Sequence, residues 1–434
     1  MKAIIIFILL LISGQLIAQN TLSLQGCLEK AVSNNPTFKR GFLDAELAHT
    51  NTLAAKAQKL PQTQLQFAQG MNFGRSIDRF SNSYINQLYN SSYGNLQVAM
   101  PIYKGFQRQY LTESAQILEQ AQEQNIASEK NKLTLLLLKA YLDVLAQQEL
   151  VQAAEKQLEN SKYQLSRQER FLEAGTAGKQ EVIQFKNQVA ADQGSLIDAE
   201  TNLEMARLAI FQLMNTTPDN AIKFEKISDS EILHTSDTQN TLTPENYLPQ
   251  FKSFDLQSKS LEKQLRANKA ENKPELNLYG NYSTFYTSTN PENGFFKQLN
   301  DTRNGSVSLN LSIPLFSRFA TSPRSQQIRV QQKIVENTRA ASKNILNQEI
   351  ETASLMLKTL EKKYKNATLQ MSLSQENLQM IERTIEAGTV NPLEFALAQT
   401  NLEKATANQI QTKYRWVLQN KILSFYQSGT FDLL

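Results

Sequence analysis

The stretch Ser306-Val307-Ser308-Leu309-Asn310-Leu311-Ser312-Ile313-Pro314 decides the fold. Val307, Leu309, Leu311 and Ile313 fall on one side of an extended chain, and Ser306, Ser308, Asn310 and Ser312 fall on the other. Period-2 alternation of this kind makes a strand with one apolar and one polar face. A partner strand carries Leu276, Leu278 and Tyr282. The first half of the chain repeats the pattern more weakly, with Leu96, Val98 and Met100 against Asn95, Gln97 and Ala99, and a partner holding Leu65, Phe67, Met71 and Phe73. The strands are expected at about 61–73, 92–101, 274–286 and 305–314, with polar Asn-, Ser- and Tyr-rich loops over 74–92 and 287–304. A half-buried soluble hairpin would show the same alternation. Against it, only four strands occur in 434 residues, in two distant pairs, and their polar face is Ser, Asn and Gln with few charges. That face suits a water-filled lumen. The runs approach the roughly 9–11 residues that a membrane strand needs. Four strands cannot close a barrel, so edges in a membrane must be closed by other subunits.

Outward from the strands, one offset of 213 residues recurs. Pro61 maps to Pro274, while Leu96, Pro101 and Phe106 map to Leu309, Pro314 and Phe319. Arg170 and Glu173-Ala174-Gly175-Thr176 map to Arg383 and Glu386-Ala387-Gly388-Thr389, and Glu181 maps to Glu394. A constant offset across separated landmarks marks a duplicated structural unit. The expected division is a signal peptide at 1–18, a first repeat at 19–217, a linking segment at 218–248, a second repeat at 249–427 and a tail at 428–434.

Each repeat begins with helices. Residues 24–33 form a short one; Asn35 caps and Pro36 starts the next, which runs to about Lys59 before Pro61 stops it. After Gly105 neither glycine nor proline appears until Gly175, and the same holds from about 325 to 387. These runs are Leu, Ala, Gln, Glu and Lys, all helix formers. About 66 residues at 1.5 Å each span about 100 Å. Shorter helices return over 179–215 and 392–426. With the helix before the strands, such a pair totals roughly 90 Å, so each repeat reads as one long helix beside two shorter ones stacked end to end.

The N-terminus has a positive start, an apolar run from Ala3 to Ile12 and a small-residue site at Ala18, the form of a secretory signal peptide. No later run is apolar enough for a transmembrane helix. A formal charge of +4 implies no nucleic-acid partner. Cys27 is the single cysteine, so no intramolecular disulfide forms. Leu24-Gln25-Gly26-Cys27 has the outline of a lipidation site, but polar residues separate it from the apolar run; the other reading is a half-buried helix cysteine.

With these motifs in order and duplicated, the chain resembles the outer-membrane efflux protein family, the TolC-like channels. The carriers are Leu24-Gln25-Gly26-Cys27-Leu28-Glu29-Lys30-Ala31 leading to Asn34-Asn35-Pro36, the joints Met100-Pro101-Ile102-Tyr103 and Ile313-Pro314-Leu315-Phe316, and the two Glu-Ala-Gly-Thr tips. The resemblance implies a mixed α/β membrane protein, mostly α. Three protomers would each give four strands to a twelve-stranded barrel in the outer membrane, continued by a long α-helical barrel in the periplasm. It implies a homotrimer that contacts outer-membrane lipid, a periplasmic adaptor (membrane fusion) protein and an inner-membrane transporter, and a channel that conducts passively in efflux or type I secretion. Pro101 and Pro314 would mark the change from strand to helix.

The resemblance makes the tips Gly175, Thr176, Gly388 and Thr389 adaptor-docking sites; a plain helix–turn–helix corner needs the same residues. Glu181 and Glu394 would be pore-constriction carboxylates, and three Glu394 side chains around an axis would favour cations. The alternative is a helix cap, since Asn391-Pro392-Leu393-Glu394 has the form of a capping box and Gly178 and Glu181 share its spacing. Leu397, where some relatives carry a second acid, would form an apolar constriction. Ile385 and Val390 stand where the family's tyrosine and arginine latch would fall. No catalytic residue, metal site or cofactor is expected: His49 reads as a solvated helix residue, His234 as a linker residue, and Tyr414 and Trp416 as packing. The competing reading is a surface or periplasmic structural coiled-coil or adaptor protein without a pore. An adaptor should carry several short strands, and an adhesin needs no duplicated strand–helix spacing.

Overall fold

The computed structural model describes residues 21–219, 221–226, 244–316, 320–386 and 392–431. The expected signal peptide, His234, Gly388, Thr389, Val390 and the side chain of Ile385 lie outside the described residues. The elements are β1 (Thr21–Leu22), α1 (Leu24–Asn34), α2 (Pro36–Ala57), β2 (Gln62–Asn72), β3 (Arg75–Ile77), β4 (Tyr84–Asn86), β5 (Tyr89–Lys104), α3 (Gln107–Glu173) and α4 (Lys179–Met214). There follow β6 (Lys223–Phe224), a 3-10 turn at Pro244–Asn246, α5 (Pro249–Ala270), β7 (Glu275–Thr287), α6 (Phe295–Asp301), β8 (Asn304–Ser312), α7 (Thr321–Glu386) and α8 (Pro392–Ser428). The protein is mostly helical, and the duplication is visible in element lengths. α2 and α5 have 22 residues each, α3 and α7 have 67 and 66, and α4 and α8 have 36 and 37.

The elements form two compact units. One takes the chain up to Phe42, Asn125–Phe251 and Ala341 onward. Its core joins Leu24, Cys27 and Ala31 of α1, Leu137, Tyr141 and Leu145 of α3, Ile210, Phe211 and Met214 of α4, and Trp416 and Val417 of α8. The i, i+4, i+8 spacing on α3 puts its three residues on one stripe. The Tyr141 hydroxyl lies 2.7 Å from the Glu225 carbonyl and 3.2 Å from that of Leu22, so it ties together β1 and β6, which pair in parallel. Asn35 caps α2: its Oδ1 accepts from the amides of Thr37 and Phe38, and its Nδ2 donates to the Leu213 carbonyl. Trp416 stacks on Tyr364 with ring centroids 5.8 Å apart. Cys27 is fully buried rather than half-buried, because α1 turns it into this core. Burial pushes its thiol up to about 12, with Lys30 pulling slightly the other way.

The other unit comprises Leu43–Gln124 and Lys252–Ala340. Its four-stranded antiparallel sheet has the order β2-β5-β7-β8. Small side chains let α3 and α5 approach: Ser114 and Ser260 exchange hydrogen bonds between their hydroxyls and each other's carbonyls, and Lys263 pairs with Glu113 at 2.6 Å. His49 is exposed as expected but not merely solvated, since its Nδ1 lies 2.7 Å from Glu119 Oε1.

Two loop expectations change. The segment 74–92 contains the small β3–β4 hairpin, and 287–304 contains α6. α6 is held by Gln298, whose Oε1 accepts from the Thr287 amide and whose Nε2 donates to the Asn293 carbonyl. Pro101 is not at the end of its strand. β5 runs through it to Lys104, with a register shift between Pro101 and Tyr103. β2 starts at Gln62 opposite Ala99, so no β2 residue faces Pro101 and its missing N–H breaks no ladder bond there. The strand–helix joint is instead Gly105-Phe106, both at positive φ. A side chain at Gly105 would collide with the Cβ of Lys273. Pro314 lies two residues beyond the end of β8.

Candidate functional site

The sheet is built in rungs. Leu65, Leu96, Tyr282 and Gly305 stand opposite one another across the four strands, and Val98, Gly280 and Val307 form the next rung. Met100, Leu278 and Leu309 follow on the same side. The other side carries Gln64, Gln97, Asn281 and Ser306, then Gln66, Asn95, Ser283 and Asn304. Directly opposed residues share a face, so over these rungs the sheet presents a mainly apolar side, with Thr63 among it, and a side mainly of amides and hydroxyls. Leu65, Leu309 and Val307 are 77%, 67% and 80% exposed. β2 and β8 each have one neighbour, so both outer edges keep unpaired backbone groups. Among the described residues, no helix is long and apolar enough to cross a membrane.

Beside the sheet, Asp78 is buried in the loop that follows β3 and accepts hydrogen bonds from the Ser81 amide and hydroxyl and from Thr289 Oγ1. Burial alone would raise its pKa. The hydrogen bonds from Thr289, Ser81 and the Phe80 amide outweigh that and hold it below the usual carboxylate value.

The described helical tip closes α3 with Gly175 at φ +77°. The Gly175 amide donates to the Leu172 carbonyl and the Thr176 amide to that of Phe171, the paired bonds of a Schellman ending. The Thr176 hydroxyl also donates to the Phe171 carbonyl. Glu181 Oε2 accepts from Gln168 Nε2 at 2.9 Å and from the Gly178 amide at 3.4 Å, so its charge is engaged in the turn. Glu394 and Leu397 are both exposed on the first turns of α8, Leu397 at 55%.

A buried polar cluster on the same helices has no counterpart among the residues predicted from sequence. Asp192 accepts hydrogen bonds from Ser161 and, at 2.8 Å, from Gln188 Nε2, and Gln399 Nε2 reaches both Ser161 and Asp192. Burial raises the Asp192 pKa, and the bonds from Ser161 and Gln188 only partly offset it. The signal was present: Asp192 lies seven residues after buried Phe185, and Gln399 four after buried Phe395, so both are polar residues on an apolar helical phase.

Twice-repeated long helices attached to a two-faced, open-edged sheet define a class of membrane channel components. The family model described as outer membrane efflux protein matches residues 27–216 and 248–426, and the chain belongs to that family. The crystal structure of CusC, studied for the conformational changes of folding and transmembrane channel formation, is similar with a TM-score of 0.80 at 14% identity, covering 94% of this chain and 92% of that one. VceC, an outer membrane protein of Vibrio cholerae, has a TM-score of 0.76 at 12% identity, covering 94% and 97%. The CmeC outer membrane channel of Campylobacter jejuni has a TM-score of 0.74 at 15% identity, covering 94% and 86%. At these identities the likeness establishes the fold, and it bears out the resemblance to TolC-like channels. No curated protein sequence matches the chain.

Proposed function

We propose that this chain is the outer-membrane channel of a tripartite efflux or type I secretion system, conducting substrates passively from an inner-membrane transporter and a periplasmic adaptor to the exterior. Three copies each give four strands to a twelve-stranded barrel in outer-membrane lipid, and their helices continue it as a tunnel in the periplasm. The observation that carries the reading is the sheet, whose apolar side is exposed, whose opposite side is polar with charged strand residues only at Lys104 and Glu275, and whose two edges are open. In lipid such edges are tolerated only when closed by further strands, and family membership points to the same assembly.

The tips at Gly175-Thr176 and Gly388-Thr389 receive the adaptor. Glu394 and Leu397, exposed near the start of α8, narrow the tunnel; Glu181 adds to them from its own turn, where its carboxylate accepts from Gln168 Nε2 and the Gly178 amide. Detergent extraction of the outer-membrane fraction should yield a species with three times the mass of one chain by light scattering. A monomer in the soluble periplasmic fraction overturns the reading. In single-channel recordings Glu394→Gln should lower cation preference, and unchanged selectivity would leave Glu394 as a helix cap.

A further inference from the structure

The strands β2, β5, β7 and β8 contain only two charged residues, Lys104 and Glu275. They are register partners at one end of the sheet, with Lys104 Nζ 3.1 Å from Glu275 Oε2. Arg108, at the start of α3, brings its guanidinium to 3.9 Å from the other oxygen of Glu275. All three side chains are about a quarter exposed, so water reaches them. Glu275 also stands opposite Ser312, on the polar side of the sheet. The next charges are Glu271 and Arg324, which pair with each other at 3.2 Å, and Lys273, whose stem lies against Gly105. Two cations therefore surround one carboxylate at the strand–helix joint; elsewhere on the polar side the strands carry no charged residue, and the loop residue Arg79, whose guanidinium lies 4.7 Å from the Phe285 ring centre, stands toward the other end of the sheet.

We propose that Lys104, Arg108 and Glu275 form a selectivity collar at the inner end of the sheet. The collar carries one net positive charge per chain and weakly favours anionic solutes such as carboxylates and phosphates over cations. This rests on the reading that the polar side of the sheet lines a water-filled lumen. Glu275 sets the strength of the preference, because it cancels one of two cations that would otherwise act on the passing ion. A ring of like charges biases permeation in this way without contacting any particular substrate. The effect is strongest when the screening length is long, on the order of 30 Å at 0.01 M salt against 3 Å at 1 M.

The test is the reversal potential of the purified full-length channel in a planar bilayer under a potassium chloride gradient at low salt. Glu275→Gln should move it toward the chloride potential and Lys104→Gln toward the potassium potential. The double variant Lys104→Gln/Glu275→Gln restores the original net charge and should return to the wild-type value. Both single-variant shifts should shrink near 1 M salt. Arg108→Gln lies outside the sheet and leaves the cross-strand pair intact, so it supplies the potassium-directed shift should a strand variant fail to assemble. Conducting channels whose reversal potentials all match the wild type overturn the collar. A wild-type protein that forms no channels overturns the underlying reading instead.

Discussion

Tyr141, Leu137, Ile210 and Phe211 in the helical core are each 0–2% exposed, whereas Phe67, Leu309, Leu65 and Val307 in the sheet are 63–80% exposed. The chain thus treats large apolar side chains in two ways. In the helical unit the core residues find partners within the same polypeptide, and burial of such a residue contributes roughly 1.5–3 kcal/mol, while others, such as Met205 at 65% and Leu355 at 70%, stay exposed. In the sheet, same-face neighbours such as Leu96 at 39% and Tyr282 at 48% also stay exposed, so the apolar surface remains for something outside the chain. The helical core is complete in one copy, whereas the apolar side of the sheet requires lipid and further strands.

Substitutions can break this contrast, beginning with the largest effect. Phe211→Ala should cost about 3–5 kcal/mol by opening a cavity beside Phe224, read as a lower denaturation temperature of the detergent-solubilised protein. Its rings pack edge to face with centroids 6.3 Å apart. Leu309→Arg should cost about 2–4 kcal/mol per copy at mid-bilayer depth, seen as lost assembly in the outer-membrane fraction. Ser308→Arg, one residue away on the polar side, should assemble normally. Equal loss from both would remove the distinction between the faces.

Asp192→Ala leaves the Gln188 and Gln399 donors short of an acceptor and should cost about 1–3 kcal/mol. Its pH dependence sharpens the point. The folded pKa is raised by burial, so the folded state holds the proton more tightly than the unfolded chain. The associated stability is present below the ordinary carboxylate value of about 4 and is lost as pH rises through the raised value. Melting temperatures across that window should fall for the wild type, and Asp192→Asn should lack this component of the slope. The smallest effect is at the tip: Gly175→Ala forces a side chain into the left-handed region and should cost about 1 kcal/mol, detectable as faster amide exchange around Phe171–Ala177 before any change in assembly.

The helices were legible because their ends are punctuated. Pro36 starts α2, Gly105 and Gly175 bracket α3, and Asn35 caps through its own side chain. The alternation of Ser306–Ile313 likewise revealed a face that the register reproduces across four strands. The extent of β5 was not legible. Ser91, Ser92 and Gly94 offer no alternation, and Pro101 reads as a stop, although the absence of an opposing β2 residue makes it tolerable. α6 and the β3–β4 hairpin were hidden for a related reason: side-chain bonds from Gln298 and Asp78 hold them, and no periodic pattern announces such bonds. At the tip, the turn residues were readable, but the engagement of Glu181 by Gln168 depends on the neighbouring helix. The ion pair of Lys104 and Glu275 depends on pairing between the two repeats, which neither half of the sequence contains alone.

The most direct test concerns the open edges. Cysteine replaces Gln64 on β2 and, one at a time, Ser306, Ser308 and Asn310 on β8; all lie on the polar side, and the native Cys27 is buried. Oxidation in intact outer membranes should give disulfide-linked dimers and trimers at one of these registers, with nothing larger. Monomers at every register, or a fast-migrating monomer in which β2 and β8 of the same chain are joined, would contradict closure of the sheet by neighbouring copies.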